Sequence, residues 1–211
     1  MIITFFGATG GIGMLLVNKA LAEGYTVNAY VRNPSKLDLK HPKLTVIKGE
    51  LDDFKSIKNA IAGVDCVICT LGPPLKRKYE GWAILDGHQN IIRAMESENV
   101  KRFITIATPS VRFQKDVPSM ITNLPPVMAK LFFPKAYKEI VQVGDNVVFS
   151  KLDWTIVRFL APNDKPSTGD VKVTFGDKKI KWGISRTDIA DFLLTQIKDT
   201  QYIHSMPIIG S

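Results

Sequence analysis

The amino-acid sequence predicts a doubly wound α/β fold, in which a parallel sheet has helices on both faces. Apolar segments of strand length alternate with amphipathic segments of helix length over the first two thirds of the chain. This alternation is typical of parallel strands joined by crossover helices. The segments ITFF, CVIC and FITIA are also apolar throughout, as expected of strands that are buried on both faces of a helix-covered sheet.

The predicted elements follow one another without interruption. Six strands are predicted at Met1–Phe6, Thr26–Val31, Leu44–Lys48, Asp65–Leu71, Arg102–Ala107 and Trp154–Arg158. Four helices are predicted between them, at Ile12–Glu23, Phe54–Ile61, Gly81–Glu98 and Ala136–Ser150. No linker, repeat or low-complexity segment divides the 211 residues, so we expect a single domain over residues 1–211.

The pattern changes after Arg158. The segments VKVTF and KKIKW alternate in polarity and are separated by Gly176 and Asp177, which predicts a small C-terminal β-hairpin. Ser185 and Asp188 then have the spacing of a helix capping box. We therefore expect a short helix over the segment IADFLLTQI that follows.

Composition argues against several classes of protein. Hydrophobic residues make up 45% and charged residues 23% of the chain, as in ordinary globular domains. No apolar run reaches the roughly 18 to 20 residues of a membrane-spanning helix, and the N-terminus lacks the basic region of an export signal.

Cys66 and Cys69 lie three positions apart on a predicted strand and so point to opposite faces. They are predicted to be buried thiols rather than a metal or redox pair, which favours a cytoplasmic location without membrane association.

The charge balance indicates an acidic or phosphate-bearing ligand. Lys and Arg number 28 against 20 Asp and Glu, a net charge of +8, and such a surface attracts anions. The basic residues are scattered and are not interleaved with aromatic residues, which argues against nucleic-acid binding as the primary role. His41, His88 and His204 show no ligand spacing, so no metal site is expected.

The turn after the first predicted strand has the sequence GATGGIG. Glycine tolerates positive φ and lets backbone N–H groups approach a ligand closely. Gly7 would form the tight turn, Gly10 the close approach and Gly13 the contact between helix and strand. The N–H groups at the start of the next helix suit a pyrophosphate. The turn therefore predicts a dinucleotide site that includes Gly7, Thr9, Gly10, Gly11, Ile12 and Gly13.

The end of the second predicted strand, AYVRNPSKL, is where such a site contacts the adenosine ribose. An acidic residue there binds a free 2′-hydroxyl, whereas Arg accommodates a 2′-phosphate. Arg32 stands at this position with no carboxylate beside it, Ser35 offers a hydroxyl and Lys36 adds a point charge. The sequence therefore favours NADP(H) over NAD(H).

These residues also resemble a known family, the atypical short-chain dehydrogenase/reductases with NmrA-like NAD(P)H-binding domains. The resemblance rests on GATGGIG, VRNPSKL, GVDCVICTLG, VKRFITIAT and SKLDWTIVR, which cover nearly the whole chain in order. Within the family, the chain is most similar to the flavin reductases that also reduce biliverdin IX-beta. The resemblance implies a Rossmann-type sheet and an oxidoreductase activity, with the part from about residue 159 on the substrate side.

The resemblance also implies further cofactor contacts at the ends of three strands. The implied contacts are Glu50 and Leu51 for the adenine, Thr70, Leu71 and Gly72 for the diphosphate and ribose, and Ala107 and Thr108 for the nicotinamide. Their location agrees with the general rule that ligands of open α/β sheets bind at the carboxyl ends of the strands.

The sequence departs from the family at the catalytic positions. Typical short-chain dehydrogenases use a Tyr-x-x-x-Lys pair, but the residue four positions after Tyr137 is Val141. Where the likeness to flavin reductases implies a serine, this chain has Pro109 between Thr108 and Ser110, and a histidine near the substrate of those relatives has no counterpart. Thr108, Ser110 and Tyr137 are the candidates for a catalytic hydroxyl.

The segment from Pro109 to Pro134 carries five prolines among apolar residues, which argues against one regular helix through its whole length. Two interpretations stay open, a lid over the substrate or a dimer contact. A lid would form an apolar pocket with Met120, Met128, Phe132 and Phe133, and would attract an acidic substrate with Arg112 and Lys115.

Together these features predict an NADPH-dependent reductase of a small planar acceptor, acidic or aromatic in character, that acts as a monomer or homodimer. A flavin or quinone takes its proton from water and requires mainly orientation from the protein, so the missing Tyr–Lys pair does not exclude catalysis. The alternative is a non-catalytic NADP(H)-binding redox sensor of NmrA type, which the missing pair also fits.

Overall fold

The computed structural model describes residues 1–211, which form two sheets and six α-helices. The strands are β1 (Ile2–Phe6), β2 (Thr26–Val31), β3 (Leu44–Lys48), β4 (Cys66–Cys69), β5 (Arg102–Ala107), β6 (Asp153–Arg158), β7 (Pro162–Asn163), β8 (Lys172–Thr174), β9 (Ile184–Ser185) and β10 (Ile208–Gly210). The helices are α1 (Gly11–Ala22), α2 (Phe54–Ile61), α3 (Ala83–Ser97), α4 (Met120–Phe132), α5 (Pro134–Phe149) and α6 (Arg186–Thr195). All the strands and helices predicted before residue 159 are present.

The main sheet has the strand order β3-β2-β1-β4-β5-β6-β10-β8. Its strands are parallel from β3 to β10, and β8 pairs antiparallel with β10 at the edge. β7 and β9 form a separate two-stranded sheet. The strand order reverses between β1 and β4, so the carboxyl ends of these two strands flank a topological switch point. The predicted doubly wound α/β fold is confirmed.

The main sheet separates two apolar cores. On one face, α1 and α6 cover a cluster that includes Phe5, Leu16 and Leu193. On the other face, α2, α3 and α5 cover a cluster that includes Phe6 and Ile91. Helices on both faces explain why the central strands read as continuous apolar runs.

Cys66 and Cys69 are free, fully buried, and belong to different cores. Their opposite directions follow from the two-residue period of a strand. Burial raises the pKa of both thiols to about 12, so both remain protonated and poorly nucleophilic near neutral pH. The prediction of two buried core thiols is confirmed.

The predicted C-terminal hairpin is wrong. Its first strand, β8, pairs with β10, while the segment KKIKW forms no strand. A chain reversal does form at the predicted place, because the Asp177 carboxylate accepts hydrogen bonds from the Phe175 N–H and the Thr174 hydroxyl. β10 takes the place of the lysine-rich segment as the partner of β8. Ile208 and Ile209 of β10 are buried in the sheet, and burial is favourable for apolar side chains but not for lysines.

The proline-rich segment is irregular only in its first half. The helix α4 begins after Ser119, whose backbone N–H donates to the Thr122 hydroxyl, and it contains both Pro125 and Pro126. Each proline removes one backbone hydrogen bond from the helix, but both side chains are buried in the structure. Their packing offsets the lost bonds, so half of the segment is helical.

Candidate functional site

A cleft of about 690 Å³ lies at the carboxyl ends of β1, β2, β3 and β4. It therefore occupies the topological switch point, where open α/β sheets bind ligands. Its lining residues at the ends of these strands include Gly7, Thr9, Arg32, Glu50, Leu51, Leu71 and Gly72. Its opposite wall consists of the segment 79–84 together with Glu139 of α5.

The glycine turn has the backbone that the sequence predicts. Gly7 has φ of +86°, and a Cβ added there would lie 2.7 Å from the Thr70 hydroxyl oxygen. A Cβ added at Gly13 would lie 2.1 Å from the carbonyl oxygen of Gly7. The Gly10 N–H donates to that same carbonyl at 3.0 Å and closes the turn. Glycine is therefore required at Gly7 by φ and by space, and at Gly13 by space.

The start of α1 is prepared for an anion. Its N-cap residue is Gly10, which offers no capping side chain, and no acidic residue stands in its first turn. The backbone N–H groups of a helix's first turn lack intrahelical acceptors, and here no side chain caps them. The helix dipole adds positive potential at the same place. Gly11, Ile12 and Gly13 supply these N–H groups. A pyrophosphate fits this arrangement.

The end of β2 brings two cationic side chains to the cleft. Arg32 and Lys36 both line it, together with Asn33. Ser35 does not line the cleft, and its hydroxyl donates to the Asn33 carboxamide oxygen at 2.8 Å. The same oxygen accepts from the Ser35 N–H and begins the short 3₁₀ helix Pro34–Lys36. Asn33 thus fixes the turn from which the two cationic residues project.

The turn after β3 depends on Tyr30, a residue that no sequence motif indicates. Its hydroxyl donates to the backbone carbonyl of Glu50 at 2.8 Å, and its ring packs against Phe6 with centroids 5.0 Å apart. A Cβ added at Gly49 would lie 2.1 Å from the Tyr30 hydroxyl oxygen. Tyr30 therefore holds the turn that presents Glu50 and Leu51 to the cleft. An aromatic residue within an apolar strand gives no signal of this role.

The residue after β4, Thr70, contacts the glycine turn. The Thr70 hydroxyl lies 3.3 Å from the carbonyl oxygens of both Phe6 and Gly7, so it holds the start of the turn against the sheet. Leu71 and Gly72 line the cleft itself.

The far wall contains a buried carboxylate that no sequence motif indicated. Glu139 is fully buried, and its Oε1 accepts hydrogen bonds from the backbone N–H groups of Ile84 and Leu85 at 3.0 and 3.1 Å. Its Oε2 accepts from the Tyr79 hydroxyl at 2.5 Å. Glu139 thus caps the start of α3 from a different helix, where a negative charge is favoured.

Tyr79 and Trp82 form an aromatic wall beside this carboxylate. The Lys135 ammonium lies 4.6 Å from the centre of the Tyr79 ring and 5.0 Å from that of Trp82, and it also donates to the Tyr79 carbonyl oxygen. Burial, reinforced by the neighbouring Glu139, raises the pKa of Tyr79 well above its ordinary value. The phenol is therefore a neutral hydrogen-bond donor near neutral pH. These contacts fix the segment 79–84 over the cleft.

The three candidate catalytic hydroxyls lie outside the cleft lining. Thr108 follows β5, and its hydroxyl oxygen accepts a 3.3 Å hydrogen bond from the Ser110 N–H. Ser110 is 2% exposed, and its hydroxyl has no hydrogen-bond partner. Tyr137 is partly buried on α5. Ala107, the other residue implied beside the nicotinamide, is buried at the end of β5.

Arg158, at the end of β6, holds the segment that carries Thr108 and Ser110. It is fully buried, binds Asp116 with both terminal nitrogens at 2.7 and 2.6 Å, and also donates to the carbonyl oxygens of Val111 and Met206. A buried Arg–carboxylate pair of this kind fixes geometry, and removal of one partner is strongly destabilising. The chain after β5 is thereby tied to β6.

His88 is a core residue. It is fully buried on α3, and its ring contacts the Ile84 carbonyl oxygen, the Thr105 hydroxyl and the Cys69 thiol. Burial lowers the pKa of His88, so the ring is neutral near pH 7.

No group of three or more His, Cys, Asp or Glu side chains is placed to hold a metal ion. No helix is both long and apolar enough to cross a membrane.

A model of the NAD(P)H-binding family matches residues 7–200 of the chain. The chain belongs to this NAD(P)H-binding family. A phenylcoumaran benzylic ether reductase of Arabidopsis thaliana is 28% identical over 97% of this chain and 67% of its own length. A 3-beta-hydroxysteroid dehydrogenase of Mycolicibacterium neoaurum is 30% identical over 50% of this chain. The chain spans about a third of the length of that dehydrogenase and of a petunia cinnamoyl-CoA reductase, 31% and 32% respectively.

Solved structures show the same fold. An anaerobillin reductase from Escherichia coli O157:H7 superposes with a TM-score of 0.80 at 19% identity, over 100% of this chain and 97% of its own. A short-chain dehydrogenase/reductase from Veillonella parvula in complex with NADP has a TM-score of 0.75 at 19% identity, over 100% and 94% of the two chains. The family match confirms the predicted NAD(P)H-binding domain, and these neighbours confirm the predicted Rossmann-type fold.

Proposed function

We propose that this protein is an NADPH-dependent reductase that transfers hydride to a small planar acceptor such as a flavin or quinone. The observation that carries the proposal is the cleft itself, in which the glycine turn and the cationic end of β2 face one cavity at the switch point. Reductases among its relatives, such as the phenylcoumaran benzylic ether reductase, support the reaction class.

The preference for NADPH rests on Arg32 and Lys36. Both line the cleft at the end of β2, where the adenosine ribose of a dinucleotide is bound. A planar guanidinium binds a phosphate through paired hydrogen bonds, and an ammonium adds a point charge. The residues next to Arg32 are Val31 and Asn33, so no carboxylate adjoins it to bind a free 2′-hydroxyl.

The reaction balances as NADPH, a proton and a quinone giving NADP⁺ and a quinol. The bound cofactor supplies the hydride, and solvent supplies the proton. The glycine turn and the first turn of α1 would orient the cofactor, while Tyr79 and Trp82 offer aromatic surface at the cleft wall. Such a reaction demands mainly orientation, because no acid group of the protein has to protonate the acceptor.

The test follows NADPH absorbance with purified protein and a panel of flavin mononucleotide, quinones and biliverdin. We expect acceptor-dependent oxidation that is faster with NADPH than with NADH. Arg32→Glu should abolish the preference, because it places a carboxylate where the 2′-phosphate would bind. Lys101→Glu, an exposed charge reversal immediately before β5 and outside the cleft lining, is a matched control for net charge. An activity that is equal with both cofactors and insensitive to Arg32→Glu would overturn the assignment.

A non-catalytic NADP(H) sensor is the second candidate. It is favoured by the burial of the Ser110 hydroxyl and by the lack of a lysine four residues after Tyr137. A sensor would bind NADPH in calorimetry without oxidising it in the presence of any acceptor of the panel. Its affinity for a protein partner would then differ between NADPH and NADP⁺.

A further inference from the structure

Arg186 lies against the glycine turn. It is the first residue of α6, and its side chain packs over Gly11, the first residue of α1. A Cβ added at Gly11 would lie 2.9 Å from Arg186 Cδ and 3.0 Å from its Nε. The absence of a side chain at Gly11 therefore makes room for this arginine. One guanidinium thus stands at the N-terminus of α1.

The positive charge at this place is only weakly balanced. Arg186 Nη1 donates to Asp164 Oδ1 at 2.7 Å, and this is the only hydrogen bond that the guanidinium makes within the protein. The Asp164 side chain is 87% exposed, and a solvated pair of this kind contributes little to stability. Since the first turn of α1 contains no acid, the local charge favours an incoming anion.

The sheet formed by β7 and β9 holds this pair in place. Asp164 directly follows β7, and Arg186 directly follows β9, so the parallel pairing of the two strands brings both residues to the same edge. Ser185 accepts a hydrogen bond from the Asp188 N–H at 2.9 Å and fixes the start of α6. The guanidinium is therefore positioned before any ligand arrives.

We propose that Arg186 binds the pyrophosphate of the dinucleotide and releases Asp164 when it does so. This inference rests on the proposed function, because it requires a dinucleotide in the glycine turn. A phosphate can accept two parallel hydrogen bonds from a guanidinium, and charge-assisted bonds of this type are about twice as strong as neutral ones. Arg186 would then act on every dinucleotide, whereas Arg32 acts only on those with a 2′-phosphate.

Two fragments separate these roles. ADP-ribose carries the pyrophosphate without a 2′-phosphate, and adenosine 2′-monophosphate carries the 2′-phosphate without a pyrophosphate. Calorimetric titration of Arg186→Gln should show ADP-ribose and NADPH binding about tenfold more weakly, the equivalent of about 1.4 kcal/mol, with adenosine 2′-monophosphate unchanged. Arg32→Gln should weaken adenosine 2′-monophosphate and leave ADP-ribose unchanged.

Two further variants complete the design. Asp164→Asn removes the competing carboxylate and should tighten ADP-ribose binding by a few fold. Arg186→Lys keeps the charge but not the planar fork, so it should restore part of the affinity lost in Arg186→Gln. Thermal unfolding of each variant without ligand should match the wild type, because the pair with Asp164 is exposed.

The possible results are distinguishable. Wild-type affinity of Arg186→Gln for ADP-ribose, or an equal loss for both fragments, would overturn the role of Arg186 and leave the proposed function standing. Failure of the wild-type protein to bind NADPH and both fragments would overturn the proposed function and this inference together.

Discussion

Gly13 is the residue at which the glycine turn tolerates least change. An added Cβ would lie 2.1 Å from the Gly7 carbonyl oxygen and 3.0 Å from Ala8 Cα, so backbone atoms would have to move. We expect Gly13→Ala to lower the free energy of unfolding by about 1–3 kcal/mol, as overpacking does, and to weaken NADPH binding strongly. Urea unfolding and calorimetric titration measure the two effects.

Gly183→Ala is the matched control for this prediction. An added Cβ there would meet no atom closer than 3.4 Å, so stability and NADPH binding should both stay close to the wild type. A Gly13→Ala variant that behaves like Gly183→Ala would show that the turn is not close-packed and would contradict the prediction.

The residues of the glycine turn and of the cleft differ in whether a local sequence pattern identifies them. Gly7, Gly13 and Arg32 were predictable because a spacing within one βα unit identifies them. Tyr30 and Glu139 were not, because their roles depend on contacts across the fold. Glu139 binds Tyr79 from a position 60 residues away in the chain, and no short pattern encodes such a contact.

At the scale of elements, α4 has an unpartnered apolar face. Met120, Val127 and Leu131 are 63% to 69% exposed, and none of them lines the cleft. We expect Val127→Glu to change the free energy of unfolding of the isolated chain by less than about 0.5 kcal/mol, as surface substitutions do. Ile121→Ala, at a buried position of the same helix, should cost about 2–5 kcal/mol. Urea unfolding compares the two.

The same Val127→Glu variant distinguishes the two interpretations of this segment. A dimer contact is identified if light scattering gives the variant half the mass of the wild type and if the variant is less stable than the wild-type dimer. An unchanged mass with a raised KM for the acceptor identifies a lid. Equal destabilisation by Val127→Glu and Ile121→Ala in a monomer would contradict the exposure of this face.

The elements that sequence reasoning placed correctly are those with a local period. Strands such as β1 and β5 and helices such as α2 combine a clear apolar pattern with turn residues at their ends, which fixes their bounds. The hairpin failed for a different reason. β8 lies about 35 residues from β10 in the chain, and nothing in the alternation of VKVTF distinguishes a neighbouring partner from this distant one.

At the scale of the whole molecule, the doubly wound type of the sheet was predictable from the sequence, but the full order of its strands was not. Alternating strands and helices imply a doubly wound sheet, and the glycine turn places β1 beside the switch point. The extension of the sheet by β10 and β8 depends on short strands of three residues each, whose pairing is decided by burial in the finished fold. The position of Arg186 over Gly11 likewise arises only when α6 packs on α1.

Cofactor binding should be visible in the stability of the whole protein. A ligand that binds only the folded state adds about 2.7 kcal/mol at a hundred times its Kd, which corresponds to a rise in Tm of about 5–10 °C for a chain of this size. At one fixed concentration, we expect NADPH to raise the Tm of the wild type more than NADH does, because only NADPH offers a 2′-phosphate to Arg32 and Lys36. Arg32→Gln should reduce the difference between the two rises, because only Lys36 then faces the 2′-phosphate, and Lys101→Gln, at an exposed position outside the cleft, should leave the difference intact. Equal rises in the wild type would contradict the preference for NADPH, and the absence of any rise would contradict a dinucleotide site in this cleft.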